Sequence, residues 1–175
     1  MHIVLFGDSL TEYGEWPQLM RESWRGHTLS NQGIAGDTAY SARSRVRAVL
    51  DEKPDVVFVQ MGINDLYMGA PEHEIISSLI SIVTQIKGRL PKAQVFLQSM
   101  LPTGGPLAHL NSAIVRINAE LMIKALPIDV TYVDAWAAML NGSNELNPAY
   151  TTDGVHLSPE GYTTWAGVLA TIEIA

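Results

Sequence analysis

The feature that most constrains this chain is a rhythm. Short apolar runs without alternation are separated by segments of helical period. Residues 3–6, 56–59, 95–97 and 130–133 are such runs, rich in Val, Ile, Leu and Phe, with a weaker one at 28–31. A strand that faces water on one side alternates apolar and polar residues, whereas one covered on both faces does not. The runs therefore predict parallel strands buried between helices. Between them, Ala42, Val46, Val49 and Leu50 form an apolar stripe, with Arg43, Arg45 and Arg47 expected on a solvated face. Ile75, Leu79, Ile82, Val83 and Ile86 form a second stripe, opened by Pro71, and Leu107, Leu110, Ile114, Ile117 and Leu121 a third. Ser158-Pro159-Glu160 announces a last helix with Ser158 as its cap. The alternation predicts an α/β fold with a parallel sheet, in one domain spanning residues 1–175.

In such sheets ligands gather beyond the carboxyl ends of the strands. The loops of interest are then 7–11, 33–38, 62–67, 101–106 and 141–157. The first carries Gly7-Asp8-Ser9-Leu10. A serine at the start of a helix is a cap on one reading. On the other it is a nucleophile whose developing negative charge meets outward-pointing N–H groups. The last carries Asp153-Gly154-Val155-His156. A carboxylate three residues before a histidine either stabilises a polar turn or accepts the imidazole N–H, which frees the second nitrogen to act as a base. Gly36 is a turn glycine or a backbone oxyanion donor. Asn64 stabilises its own loop or offers its amide to the same oxyanion.

Taken together, these blocks resemble the SGNH hydrolases, the GDSL esterase/lipase family. Gly7-Asp8-Ser9-Leu10, Gly36 within Ala35-Gly36-Asp37-Thr38, Gly62-Ile63-Asn64-Asp65 and Asp153-Gly154-Val155-His156 stand in the family's order across nearly the whole chain. The resemblance implies a flavodoxin-like three-layer α/β/α sandwich with strand order 2-1-3-4-5. It also implies a metal-independent acyl-ester hydrolase that needs no cofactor. By position, Ser9 is then the nucleophile, His156 and Asp153 complete the triad, and Ser9, Gly36 and Asn64 form the oxyanion hole.

Composition narrows the partners. The net charge of −7 argues against nucleic acid, whose phosphates draw on clustered Lys and Arg. The absence of cysteine removes disulfides, thiolate catalysis and cysteine-held zinc. No apolar run approaches membrane-spanning length, and residues 1–6 lack a basic leader, so stable membrane insertion is not expected and a cytoplasmic location is. The expected substrate is a small acyl ester, acetyl or short-chain, on a sugar- or glycerol-like alcohol, held in a shallow site with little lid. Acyl transfer, lysophospholipid or thioester cleavage, a metal phosphoesterase built on Asp8, Asp65, Asp153 and His156, and a non-catalytic binding module are the competing readings. The four tryptophans are expected in the core, and residues 101–106 beside the substrate.

Overall fold

The computed structural model describes residues 1–174. The chain runs β1 (His2–Gly7), α1 (Ser9–Glu12), α2 (Trp16–Leu19), β2 (Thr28–Gly33), α3 (Ala39–Ala42), α4 (Val46–Asp51), β3 (Val56–Gln60), α5 (Ile63–Tyr67), α6 (Glu72–Arg89), β4 (Gln94–Gln98), α7 (Asn111–Ala125), β5 (Thr131–Val133), α8 (Trp136–Met139) and α9 (Pro159–Ala170). Short 3-10 turns cover Arg43–Arg45, Gly105–Leu110, Leu126–Ile128 and Pro148–Tyr150. The five strands pair in parallel in the order β2-β1-β3-β4-β5. All five strands fall where the apolar runs predict them, and the fold class and strand order are those expected.

The central strands are buried end to end, as both-face coverage requires. One layer holds α3, α4, α6 and α7, with α6 packed between the others. The opposite layer holds α1, α2, α8 and α9. In that second layer Trp16 meets Trp165 edge to face at 4.9 Å, while Trp24 stacks on Phe58 and Phe58 on Phe96. Trp16, Trp24 and Trp165 are core residues, and Trp136 is half-buried. Both indoles of the central pair are satisfied, Trp16 Nε1 by the carbonyl of Thr11 and Trp165 Nε1 by Gln98 Oε1, both at 2.7 Å. Ser158 caps α9 by accepting from the N–H of Gly161.

The arginine-bearing stripe differs from the sequence reading. The stripe at residues 39–51 is not one helix but α3 and α4 joined by the 3-10 turn at Arg43–Arg45. The expectation of a solvated face holds for Arg47, whereas Arg43 is half-buried over the Tyr40 ring and Arg45 turns inward, its side chain only 18% exposed. His2 has partners from two other segments. Its Nε2 meets Glu52 Oε2 at 2.8 Å and its Nδ1 meets Thr28 Oγ1 at 3.0 Å, at the strand ends remote from the loops of interest.

Gly7 stands at the end of β1 because of close packing. A Cβ there would lie 2.0 Å from Thr11 Oγ1 and 2.5 Å from the carbonyl oxygen of Gln60. Gly7→Ala is expected to destabilise the fold by about 1–3 kcal/mol, the usual cost of overpacking. Urea unfolding measures this, and an unchanged midpoint would show that α1 does not need to sit this close to β3.

Candidate active site

Four of the five strand-end loops carry the candidate residues. β1 ends in Gly7, and Asp8 then caps α1 by accepting from the N–H of Leu10 at 3.0 Å. This leaves Ser9 at the first helical position, where backbone N–H groups are not used by the helix itself. Far along the chain, Gly154 (φ +92°) turns the segment before α9, and a Cβ on it would lie 2.4 Å from the carbonyl oxygen of Gly104. The hydroxyl of Thr151 accepts from the N–H of Gly154 and donates to the carbonyl of His156, closing the turn.

That turn brings His156 to the serine. His156 Nε2 lies 3.1 Å from Ser9 Oγ across 147 residues of sequence. Its other nitrogen, Nδ1, lies 2.7 Å from Asp153 Oδ2. A carboxylate accepts only, so Nδ1 carries the proton and Nε2 is the acceptor facing the hydroxyl. Asp153 Oδ1 accepts from the N–H groups of Val155 and His156 at 2.9 and 2.8 Å. Burial pushes the Asp153 carboxyl up, but the bonds from the imidazole and the two amides outweigh it, and the group lies below the usual carboxylate range. It is therefore ionised at neutral pH.

Asn64 lines the same cavity as the serine, whereas Gly36 stands in the turn after the neighbouring strand and is not among the residues lining it. Gly36 (φ +78°) sits in the turn after β2, and among the described residues neither its N–H nor that of Ser9 donates to a protein acceptor. Asn64 lies in the first turn of α5, and its amide donates to the carbonyl of Asp37 at 2.8 Å, leaving one amide hydrogen free. Ser9, Asn64, Asp153 and His156 line a cavity of about 230 Å³, with Ile63, Tyr67, Leu107, Leu110 and Val155 as its apolar wall. Residues 101–106 do not line it. Residues 101–104 are buried, and the wall comes instead from the 3-10 turn that follows.

The profile of the GDSL-like lipase/acylhydrolase family matches residues 5–164, from β1 into α9. The chain belongs to this family. Membership places it among the carboxylic ester hydrolases. An arylesterase from Vibrio mimicus is 31% identical over 96 residues, 49% of this chain and 48% of that enzyme. The platelet-activating factor acetylhydrolase IB subunit alpha2 of Rattus norvegicus is 24% identical over 165 residues, 91% of this chain and 70% of that protein. The crystal structure of a GDSL-like lipase from Bacteroides thetaiotaomicron superimposes with a TM-score of 0.79 at 28% identity, covering 96% of this chain and 85% of that one.

Within this GDSL acylhydrolase, the acidic residues beside the site are committed to structure. Asp65 accepts from the N–H groups of Ala39 and Tyr40, capping α3 from across the cleft, and burial raises its carboxyl. Thr38 caps α3 locally in a capping box with Ser41. Among the described residues, no three His, Cys, Asp or Glu side chains converge as a metal would require.

Asp8 is the unusual member. It is fully buried, and its Oδ2 has no partner. Burial pushes its carboxyl up to about 7. The N–H of Leu10 and the charge of His156 oppose the rise, and Asp65 and Asp37 reinforce it. The unfolded chain releases this proton near 3.8, whereas the folded chain holds it to about 7. Between those values the native state binds more protons than the unfolded one, so rising pH weakens the fold. Asp8→Asn keeps an acceptor for Leu10 and carries no titrating proton. The wild type is therefore expected to lose stability relative to Asp8→Asn from pH 4 to 7, by on the order of 4 kcal/mol at most, with the gap level above that. Denaturant melts of both proteins across this range measure it, and a gap independent of pH would contradict it.

Proposed function

We propose that this protein is a serine esterase cleaving short-chain acyl esters of small uncharged alcohols, working without a metal or cofactor through Ser9, His156 and Asp153. The carrying observation is the continuous path from Ser9 Oγ to His156 Nε2 (3.1 Å) and from His156 Nδ1 to Asp153 (2.7 Å). Neutral His156 takes the hydroxyl proton as Ser9 attacks the acyl carbon. The oxyanion is held by the N–H groups of Ser9 and Gly36 and the free amide hydrogen of Asn64. His156 then protonates the leaving alcohol, and a water deprotonated by the same nitrogen releases the acid from the acyl-enzyme. The His156 and Asp153 side chains are 40% and 52% exposed, so water reaches the acyl-enzyme, which favours hydrolysis over transfer to a second alcohol. We take residues 1–175 as a single catalytic domain. The single hydrophobic cluster running from Ile3 to Leu169 supports this.

The substrate class follows from the walls. A cavity of about 230 Å³ is small beside the ~300–1,000 Å³ of typical ligand pockets, which suits a short acyl group against Ile63, Leu107 and Leu110. The alcohol must leave on the His156 side. There the ring of Tyr13 packs 5.7 Å from the imidazole and, with Leu157, opens a groove of about 560 Å³ bordered by Glu15, Gln18 and Thr163. Neither cavity is bordered by Lys or Arg among the described residues, and Glu15 is acidic. A phosphate-bearing alcohol, as in a lysophospholipid, would find no counter-charge, whereas hydroxyl groups find Gln18 and Glu15.

A series of p-nitrophenyl esters of rising acyl length tests this reading. Turnover is expected to fall beyond the short chains and to be lost in Ser9→Ala. Asn64→Ala should cost about 10²–10³-fold in kcat with the fold intact, the usual loss for one oxyanion donor. Undiminished activity in Ser9→Ala would end the proposal.

A further inference from the structure

Arg45 is a cation with little exposure to solvent, at the turn between α3 and α4, and the triad does not use it. Its guanidinium makes three bonds to three different segments. Nε donates to Asp37 Oδ2 in an ion pair, one terminal nitrogen donates to the carbonyl of Gln32 at 2.9 Å, and the other donates to the carbonyl of Gly7 at 2.8 Å. The guanidinium carbon lies 4.4 Å from the centroid of the Phe6 ring, on β1. Only a planar, rigid fork can satisfy three acceptors in this way while stacking on an aromatic face.

The three acceptors are the anchor points of the oxyanion side. Gly7 precedes Asp8 and Ser9, so its carbonyl fixes where β1 hands over to the nucleophile. Gln32 is the penultimate residue of β2, just before the turn that carries Gly36. Asp37 follows Gly36 directly, and its own carbonyl accepts the Asn64 amide at 2.8 Å. The ion pair with Arg45 therefore restrains the residue that places the Gly36 N–H and orients Asn64. The carbonyl of Gly7 also accepts from the N–H of Ile34 at 3.1 Å, linking the first two loops by a second route. All three donors assigned to the oxyanion depend on acceptors of a single side chain.

We propose that Arg45 is a positioning residue that holds the Ser9, Gly36 and Asn64 donors in register through Gly7, Gln32 and Asp37. The proposal rests on the oxyanion assignment given under the proposed function. An oxyanion hole acts only on charge that develops in the transition state, so losing its geometry lowers kcat and leaves ground-state binding nearly intact.

Arg45→Met keeps an apolar stem over Phe6 and removes the fork. With p-nitrophenyl acetate, its kcat is expected to fall about 10²-fold, with KM within about twofold of wild type. The discriminating readout is a double-mutant cycle with Asn64→Ala. If Arg45 works through the donors, Arg45→Met/Asn64→Ala should lie within about threefold of the weaker single variant, because residues acting as one unit do not add. A purely structural role predicts losses that multiply. Asp37→Ala removes the ion pair but keeps the carbonyl that Asn64 uses. It supplies the same cycle should circular dichroism show Arg45→Met unfolded, with an expected kcat loss of about tenfold. Multiplying losses in the cycle, a change confined to KM, or wild-type kcat in a folded variant would each overturn the role of Arg45. Ser9→Ala with full activity would instead overturn the esterase reading beneath it, so the two failures are told apart.

Discussion

The contact between α9 and the α1–α2 segment is the interaction on which the site depends. Ser9 opens one partner and His156 lies just before the other, 147 residues away in sequence. Two features lock them together. Trp16 meets Trp165 edge to face in the core, and the hydroxyl of Tyr162 donates to the carbonyl of Leu10 at 2.9 Å. Beyond area burial, an aromatic pair of this geometry contributes about 0.5–1.5 kcal/mol. The energy matters less than the placement. A hydrogen bond from α9 to the residue after the serine ties the segment carrying His156 to the one carrying Ser9 through a buried path.

Around that lock, electrostatics are divided by depth. At the surface of the cleft, Asp153 is ionised and steadies the imidazole. Beneath Ser9, burial pushes the Asp8 carboxyl up to about 7, so the acid nearest the serine is less ionised at neutral pH than an ordinary carboxylate. Arg45 bonds β1 through the carbonyl of Gly7 and directs its charge to Asp37 and two carbonyls. The net charge of −7 sits with the uncharged or hydroxyl-bearing leaving group inferred from the groove.

Most of the fold is legible in the chain because strands covered on both faces leave an unmistakable run of apolar residues. Residues 3–6, 56–59 and 95–97 fall within strands buried almost throughout. Local grammar is equally legible. Ser158 caps α9 and Thr38 caps α3, as short-range side-chain chemistry dictates. Of the site, the residues on the four strand-end loops are visible because each loop follows a recognisable strand. What escapes is whatever depends on a partner distant in sequence. Arg45 reads as one of three surface arginines because helical periodicity cannot see a 3-10 break or the carbonyls of β1 and β2. The need for glycine at residue 7 escapes too, because its close neighbours, Thr11 and Gln60, are set by how α1 lies over β3. Leu107 and Leu110 read as the start of the helical stripe that ends in α7, yet they lie in a 3-10 turn and wall the cavity. Tyr13 and Tyr67 had a local signal, since Tyr67 lies one turn from Asn64 and Tyr13 one turn from Ser9.

The central claim is covalent: the acyl group passes through the oxygen of Ser9. The direct measurement is rapid-quench mass spectrometry of the enzyme mixed with an activated acetyl ester, followed by peptide mapping. One acetyl adduct per chain, located on Ser9 and formed before steady-state release of acetate, is the predicted result. An unmodified Ser9 peptide during rapid turnover would contradict the account, as would an adduct confined to another residue.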